Sequence, residues 1–354
     1  MKTRSRSWIT VMFLFVPLTF TGPLAAAVGQ SPGVAQKKLQ QNFLTWRFGM
    51  FLHFNMGTFA NREWATGYED PALFKPEKLD CRQWADAAKA AGMQYAILTV
   101  KHTGGWCLWD STYTTHDMTA FENYKNGKGD IVREFVNAFR RRGLKVGFYY
   151  CLPGNYARYP FAEEVQRRHW FGSAPPGMPG LHGLPPEAKG DYAGFIQKQV
   201  TELLTNYGPI DEMWFDQYTN PYTASSWKAL KAHVKSLQPN CIVVANNAQS
   251  LDNTDAYSYE YPWRKMSKPG TELPPEGNLN PSEVCDTLEV GAAWFWHPDA
   301  VLQPAGQVAS LVRLCNARNA NYLLNVPPNR DGLISDRCLA QLREIGKILA
   351  TSPK

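Results

Sequence analysis

Several motifs that define large enzyme classes are absent from this 354-residue sequence. It contains no Cys-x-x-Cys pair and no His-x-His, which argues against a structural zinc site and against a metal-dependent barrel hydrolase. No Gly-rich phosphate fingerprint follows any predicted strand, which disfavours a dinucleotide-binding fold. Beyond the first 30 residues, no apolar run is long enough to span a bilayer.

Excess charge and paired cysteines are equally scarce. The formal charge is +6, and half of that excess comes from Lys2, Arg4 and Arg6 in a predicted leader. The remaining basic residues are scattered, so a nucleic-acid-binding face is not supported. The seven cysteines lie far apart and are odd in number, so at least one stays outside any intramolecular disulfide. Several lie in or beside apolar runs, as small core residues do.

The first 27 residues have the pattern of a secretory signal peptide. A basic segment precedes an apolar stretch at 8–20, and Ala25 to Ala27 provide a small-residue cleavage site. A signal anchor is the alternative, which the short apolar stretch and its interruption by Pro17 disfavour. We therefore predict a secreted or periplasmic protein with a signal peptide at 1–27, an N-terminal linker at 28–40 and one domain at 41–354.

Apolar β-favouring runs alternate with helical patterns along this domain. Eight runs predict strands at 50–56, 95–101, 145–151, 212–217, 241–247, 256–261, 286–290 and 321–327. Apolar residues at a 3.6-residue period predict helices at 81–91, 131–142, 192–206, 226–237, 306–317 and 335–350. Such alternation predicts an α/β fold, a single-domain TIM-like (β/α)8 barrel, with a doubly wound open sheet as the alternative. Two Pro- and Gly-rich stretches, 156–190 and 265–281, are expected to form the substrate cleft.

The fourth predicted strand ends in Trp214, Phe215, Asp216 and Gln217. In a barrel of this kind the residues at the carboxyl ends of the strands line the active site. Asp216 is therefore a candidate nucleophile. The alternative is that Asp216 caps a following helix or turn, which is a common role for aspartate after a strand.

Aromatic and polar side chains also follow the other predicted strands. They include His53 in the first strand and Glu63 and Trp64 after it, Lys101 at the end of the second strand and His102, Trp106 and Asp110 after it, Tyr149 in the third and Glu260 near the end of the sixth. Aromatic faces pack against the C–H patches of a pyranose, and two carboxyl groups suffice for glycoside hydrolysis. Each ring taken alone is more typical of a core, so the sugar-site interpretation depends on their shared location.

Four motifs, in order along the chain, resemble those of the α-L-fucosidases of glycoside hydrolase family 29. Residues 46–54 resemble the opening strand of the family, and 98–111 resemble its Lys-His-His-Asp-Gly-Phe segment. Met213 to Asp216 match the nucleophile strand, and 321–332 resemble the closing strand and turn. The resemblance covers about 41–354, and it implies that this segment is a (β/α)8 glycoside hydrolase catalytic domain.

The resemblance implies an exo-acting, retaining α-L-fucosidase that releases terminal α-L-fucose from glycans. Asp216 would attack the anomeric carbon and form a covalent fucosyl intermediate that water then releases. The implied sugar-binding residues are His53, Glu63, Trp64 and His102, with Tyr149 and Trp214 as further candidates. No cofactor or metal is implied. The expected partner is a fucosylated oligosaccharide or glycoconjugate, and not a nucleic acid or, after signal cleavage, a membrane.

The acid/base residue is open between two glutamates, because its position varies within the family. Glu260 lies 44 residues after Asp216 and resembles the acid/base of the branch that acts on α-1,3/1,4-linked fucose. Glu283 is the second choice, and the nearby segment 291–298 resembles a substrate-site segment of the same branch. We favour Glu260.

The sequence departs from the family pattern in three ways. Thr103 and Gly104 stand where the family has its second His and its Asp, and Gln217 stands where glycine usually follows the nucleophile. No counterpart of the C-terminal β-sandwich often attached in this family is expected within the sequence. The first two departures leave open a glycosidase for a different sugar, and a catalytically silent glycan-binding barrel is the remaining alternative.

Overall fold

The computed structural model describes residues 32–65, 67, 69–152, 186–219, 223–261, 273–291 and 293–351. The predicted signal peptide at 1–27 lies outside the described residues, as do residues 156–185 and 265–272 of the two Pro- and Gly-rich stretches. Within the described part, none of the helices combines the length and apolar character needed to cross a membrane.

Eight parallel strands form a single sheet in the order β5-β4-β3-β2-β1-β8-β7-β6, and this sheet curls into a nearly closed TIM-like barrel. The strands are β1 (Phe48–Leu52), β2 (Tyr95–Lys101), β3 (Lys145–Cys151), β4 (Glu212–Asp216), β5 (Ile242–Ala245), β6 (Tyr257–Glu260), β7 (Ser282–Thr287) and β8 (Ala320–Asn325). The predicted barrel is confirmed, and the predicted bounds of β2 and β3 match the structure.

The seventh strand was predicted too late in the chain, at 286–290 instead of Ser282–Thr287. Its first residues, Ser282 and Glu283, are polar but fully buried, so they carry no apolar signal. The apolar residues on which the prediction rested, Leu288 and Val290, follow the end of the strand. Glu289 forms an antiparallel bridge with Leu302, and Val290 is exposed.

The helices surround the barrel and lie largely where periodicity predicts them. They are α1 (Pro32–Leu44), α2 (Met56–Ala60), α3 (Cys81–Ala90), α4 (Ile131–Arg141), α5 (Tyr192–Asn206), α6 (Trp227–Leu237), α7 (Ala305–Ala317) and α8 (Asp336–Thr351). Single 3₁₀ turns occur at Pro71–Leu73, Met118–Ala120, Lys125–Gly127, Pro186–Ala188 and Ala224–Ser226. Asp80, Asp130 and Asp191 cap α3, α4 and α5 by accepting backbone N–H bonds of the first turn.

The helix α1 begins at Pro32, within the segment predicted as an N-terminal linker at 28–40. This helix carries few apolar residues, so its periodicity is weak in the sequence. Its last turn nevertheless places Phe43 in the barrel's inner core, where Phe43 packs edge-on against Trp46. The rings of Trp46 and Tyr95, the first residue of β2, have centroids 5.4 Å apart. The helix α1 therefore leads into the amino-terminal end of the barrel.

Most of the strands are buried on both faces, whereas β6 is only partly buried. One set of side chains points into the barrel and forms an inner core that includes Phe51, Ile97, Tyr149, Trp214 and Leu323. The alternate set packs against the surrounding helices in a larger outer core. All seven cysteines are buried and unpaired, which agrees with their interpretation as small core residues.

The seam between β5 and β6 is joined largely by side chains. Asp255 accepts from Val243 N at 2.9 Å, Thr254 Oγ1 accepts from Ala245 N at 3.0 Å, and Ser258 Oγ accepts from Asn247 N at 2.8 Å. These contacts occupy backbone donors that a regular ladder would otherwise pair. These side-chain hydrogen bonds hold β5 and β6 close together at the carboxyl end of the barrel.

Candidate active site

The carboxyl ends of β4, β5 and β6 bring two carboxyl groups to one rim. Asp216 is the last residue of β4, and Glu260 is the last residue of β6. Asn246 lies between them, one residue beyond β5, with its backbone N–H donating to Phe215 O at 2.9 Å. We call Asp216 and Glu260 the rim pair.

Asp216 accepts hydrogen bonds from three surrounding groups. Tyr149 OH donates to Oδ2 at 2.9 Å, while Gln217 N and Asn246 Nδ2 donate to Oδ1 at 2.8 and 3.1 Å. Gln217 adopts φ 56°, a left-handed conformation that is easiest for the glycine usual at this position. No described helix begins directly after Asp216, which argues against a helix-capping role. Three donors stabilise negative charge on Asp216.

The side-chain amide of Asn246 contacts both members of the rim pair. Its Nδ2 lies 3.1 Å from Asp216 Oδ1 and 3.2 Å from Glu260 Oε2, so these two oxygens are at most about 6.3 Å apart. The sequence prediction overlooked Asn246. The available signal was the same as for Asp216, namely a polar residue that directly follows an apolar strand.

Two buried imidazoles lie among aromatic rings beside Asp216. His102 stacks on Tyr149 with ring centroids 5.4 Å apart, and Tyr149 stacks at 5.4 Å on Trp214. His53 stacks on Trp294 at 4.8 Å. Burial lowers the pKa of His53 well below its ordinary value and lowers the pKa of His102 to about 3, so both rings are neutral near pH 7.

The tautomer of His53 is set by Asn325, a residue that the sequence did not single out. Asn325 Nδ2 donates to Trp294 O at 2.8 Å, which assigns Asn325 Oδ1 as the acceptor facing His53 Nδ1 at 2.8 Å. The hydrogen of the neutral ring therefore lies on Nδ1. His53 Nε2 carries the lone pair and can accept a hydrogen bond from a hydroxyl group.

Glu63 joins the same cluster through the segment 293–297. It accepts from the backbone of Trp294 at 2.7 Å and of Phe295 at 3.4 Å, and its Oε1 lies 3.2 Å from His297 Nε2. Burial raises the pKa of Glu63, and these hydrogen bonds partly oppose the shift. Trp64 follows Glu63 on the same half-buried loop. The structure thus gathers Glu63, His53 and His102 around the rings of Trp294 and Phe295.

Glu283 lies away from this rim. It is the second residue of β7, at the amino-terminal half of the barrel, and it is fully buried. Its carboxyl accepts from Tyr95 OH at 2.5 Å and Trp214 Nε1 at 3.0 Å, and the carboxyl of Glu212 lies beside it. A general acid has to reach the leaving oxygen of the substrate, so the position of Glu283 argues against the second-choice assignment.

The loop after β2 explains one departure from the family motif. Gly104 has φ 89°, and a Cβ atom there would lie 2.9 Å from Ala65 Cβ and 3.0 Å from Gly67 N. A side chain such as the family's aspartate has no room in this loop. The neighbouring Thr103 places its hydroxyl 3.2 Å from His102 Nδ1. Among the described residues, no three His, Cys, Asp or Glu side chains converge in a metal-binding arrangement.

Comparisons with known proteins agree with this arrangement. A family model described as Alpha-L-fucosidase matches residues 30–353. Alpha-L-fucosidase 1 of Arabidopsis thaliana is 29% identical over 331 residues, which cover 86% of this chain and 59% of that protein. The chain thus spans about three-fifths of the length of this curated relative.

Solved structures show the same relationship. Alpha-L-fucosidase isoenzyme 1 from Paenibacillus thiaminolyticus superposes with a TM-score of 0.70 at 30% identity, covering 89% of this chain and 76% of that one. A glycoside hydrolase 29 family member from an unknown rumen bacterium gives a TM-score of 0.67 at 25% identity, covering 88% and 56% respectively. The chain therefore belongs to the alpha-L-fucosidase family, glycoside hydrolase family 29.

Proposed function

We propose that this protein is a secreted, exo-acting, retaining α-L-fucosidase that hydrolyses terminal α-L-fucose from fucosylated oligosaccharides or glycoconjugates. The observation that carries the proposal is the rim pair, in which Asp216 and Glu260 approach the same amide nitrogen of Asn246. Secretion is inferred from the signal-peptide pattern of residues 1–27.

The two carboxyl groups divide the reaction between them. In the first step Asp216 attacks the anomeric carbon while Glu260 protonates the departing glycosidic oxygen. In the second step Glu260 removes a proton from water, which attacks the fucosyl ester and releases Asp216. Hydrogen bonds from Tyr149, Gln217 and Asn246 hold Asp216 as a carboxylate facing one direction.

The geometry of the rim pair supports retention of configuration. Retaining glycosidases hold their two carboxyl groups about 5–5.5 Å apart, whereas inverting enzymes need about 6.5–9.5 Å to admit a water molecule. The shared contact with Asn246 keeps Asp216 Oδ1 and Glu260 Oε2 within about 6.3 Å of each other. This limit applies to one pair of oxygens, and it is compatible with the separation of carboxyl groups in retaining enzymes.

The neighbouring side chains suit one terminal sugar residue. His53 Nε2 is available to accept from a sugar hydroxyl, and His102, Glu63 and Trp64 line the same region as further ligands. The rings of Tyr149, Trp214 and Trp294 provide apolar faces, and Trp214 is also packed in the inner core of the barrel. Because these groups are largely buried, we propose that they enclose a single fucose at the end of a chain.

The proposal is tested by hydrolysis of an aryl α-L-fucoside by the purified protein, with Asp216→Asn as the matched variant. We expect turnover in the natural protein and a loss of about ten-thousand-fold or more in Asp216→Asn, because removing a nucleophile typically costs this much. NMR of the first product should show α-L-fucose before mutarotation, as expected for retention.

Two results would contradict the proposal. A first product of inverted configuration would exclude the retaining mechanism while leaving the hydrolase activity in place. If a folded natural protein is silent on fucosides but hydrolyses another aryl glycoside, the altered loop at Thr103 and Gly104 becomes the reason to reassign the sugar. Fucosylated oligosaccharides with α-1,3 or α-1,4 linkages test the linkage preference that the placement of Glu260 suggests.

A further inference from the structure

We propose that Asn246 is a positioning residue that sets the orientation and ionisation of both Asp216 and Glu260 through one side-chain amide. The inference rests on the proposed function, because it assigns Asn246 to the two carboxyl groups of that reaction. The motifs that suggested the family did not include Asn246. It emerges only from the contact of its Nδ2 with Asp216 Oδ1 at 3.1 Å and with Glu260 Oε2 at 3.2 Å.

The orientation of the amide is determined by a chain of hydrogen bonds behind it. Asn247 N–H donates to Ser258 Oγ at 2.8 Å, so the Ser258 hydroxyl hydrogen is free to point at Asn246 Oδ1, 3.0 Å away. Asn246 Oδ1 is therefore an acceptor, and its two N–H bonds face the rim pair. Both Asn246 and Ser258 are at least nine-tenths buried, which protects this chain from competing water.

The Asn246 amide donates one N–H bond to each carboxyl group, and this has a specific chemical consequence. Asp216 must be charged to attack, and a hydrogen bond to Oδ1 stabilises that form. Glu260 must be protonated at first, and an oxygen that accepts an N–H bond acts as the carbonyl oxygen of that acid. The transferable proton of Glu260 then lies on Oε1, the oxygen that does not accept from Asn246. Asn246 thereby separates the nucleophile from the acid without placing a charge between them.

The test is the pH dependence of kcat/KM on an aryl α-L-fucoside for the natural protein and for Asn246→Ala. Loss of the amide destabilises the charged form of each carboxyl, so each holds its proton to higher pH. The acid limb, which reports Asp216, and the alkaline limb, which reports Glu260, should both move upward by about half to one pH unit. We expect kcat/KM at the optimum to fall about 10- to 100-fold.

Two further variants sharpen the result. Asn246→Asp keeps the shape but adds negative charge, so both limbs should move further upward than in Asn246→Ala. Asn253→Asp makes the same substitution on the turn between β5 and β6, where the backbone carbonyl rather than the side chain contacts Trp227. This control should keep the natural pH profile. Circular dichroism of each variant verifies that the barrel is folded.

If Asn246→Ala lowers kcat/KM but leaves the acid and alkaline limbs of its pH profile where they are in the natural protein, the proposal is overturned. A purely structural role would lower the rate without changing the pH profile. Movement of only one limb would equally overturn it, because Asn246 would then serve a single carboxyl. If the natural protein has no fucosidase activity, the proposed function fails by itself. Carboxyl titration of Asp216 and Glu260 by NMR then decides the inference, which requires both curves to move in Asn246→Ala.

Discussion

Two pairs of carboxyl groups occupy opposite ends of this barrel, and their surroundings differ sharply. The rim pair is partly exposed, and the amide of Asn246 donates to both members. Glu212 and Glu283, which we call the floor pair, are completely buried near the amino-terminal end. No N–H group in the described structure donates to either oxygen of Glu212. A hydrogen that bridges Glu212 and Glu283 would therefore have to come from one of these two carboxyl groups.

The floor pair consequently retains a proton near neutral pH. Burial raises the pKa of Glu283 to about 7 and raises the pKa of Glu212 well above its ordinary value. Protonated Glu212 can donate to Glu283, whose carboxyl also accepts from Tyr95 and Trp214. Residue type is the same in both places apart from one methylene. Exposure and the supply of donors thus suit the rim pair to the proposed acid/base chemistry and the floor pair to a structural role.

Trp214 connects the two pairs. Its Nε1 donates to Glu283 on the floor, while its ring stacks on Tyr149, whose hydroxyl donates to Asp216 at the rim. The floor pair is thus linked to the proposed nucleophile by a chain of contacts through one ring and one hydroxyl. The following variants separate direct participation from this indirect support.

The largest difference is expected for Glu260→Gln on substrates with poor leaving groups. Loss of the general acid should lower kcat/KM on a fucosylated oligosaccharide by about a hundred- to ten-thousand-fold. An aryl fucoside with an acidic leaving group should be affected far less, because its oxygen scarcely needs protonation. Glu283→Gln should affect both substrates equally. If the two variants exchange these behaviours, the acid/base assignment moves to Glu283.

A smaller effect, on stability, is expected for Glu283→Gln. The amide has only one acceptor oxygen for the two donors, Tyr95 OH and Trp214 Nε1, so one buried donor loses its partner. We expect the free energy of unfolding to fall by about 1–3 kcal/mol, measured by urea denaturation at pH 7. Glu344→Gln on the exposed face of α8 is the matched control. Equal stability of the two variants would contradict the assigned hydrogen bonds.

The smallest effect is expected for Glu212→Gln, and it depends on pH. Both floor carboxyls hold protons in the folded state above about pH 4.5, where the unfolded chain releases them. The folded protein therefore loses stability as the pH rises from about 4.5 through about 7. Glu212→Gln provides a permanent N–H donor for Glu283, so this loss should shrink.

Urea denaturation at pH 5 and pH 8 measures the effect of Glu212→Gln. We expect little change at pH 5 and a gain of about 1 kcal/mol at pH 8, because the variant removes one buried titrating group. Its fucosidase activity should stay within about tenfold of the natural protein. A pH dependence of stability identical to that of the natural protein would show that the floor pair does not share a proton.

The sequence predicted the barrel because burial on both faces gives each strand a continuous apolar run and each helix a periodic one. This signal located β2, β3 and α5 at their observed bounds. The same signal failed at β7, where Ser282 and Glu283 are polar although they are buried, and at α1, where few apolar residues mark the helix that leads into the barrel. Local patterns report average burial, so they miss polar residues whose burial is balanced by distant partners.

The sequence by itself determined the fold class, the family and the candidate Asp216, since each depends on local order along the chain. The sequence favoured Glu260 over Glu283 as the acid/base, and only the tertiary structure showed that the two lie at opposite ends of the barrel with different donors around them. Only the tertiary structure identified Asn246, whose neighbours Asp216 and Glu260 lie 30 and 14 residues away in sequence. Hydrogen bonds between strand ends depend on how the sheet curls, and that curvature is a property of the whole barrel.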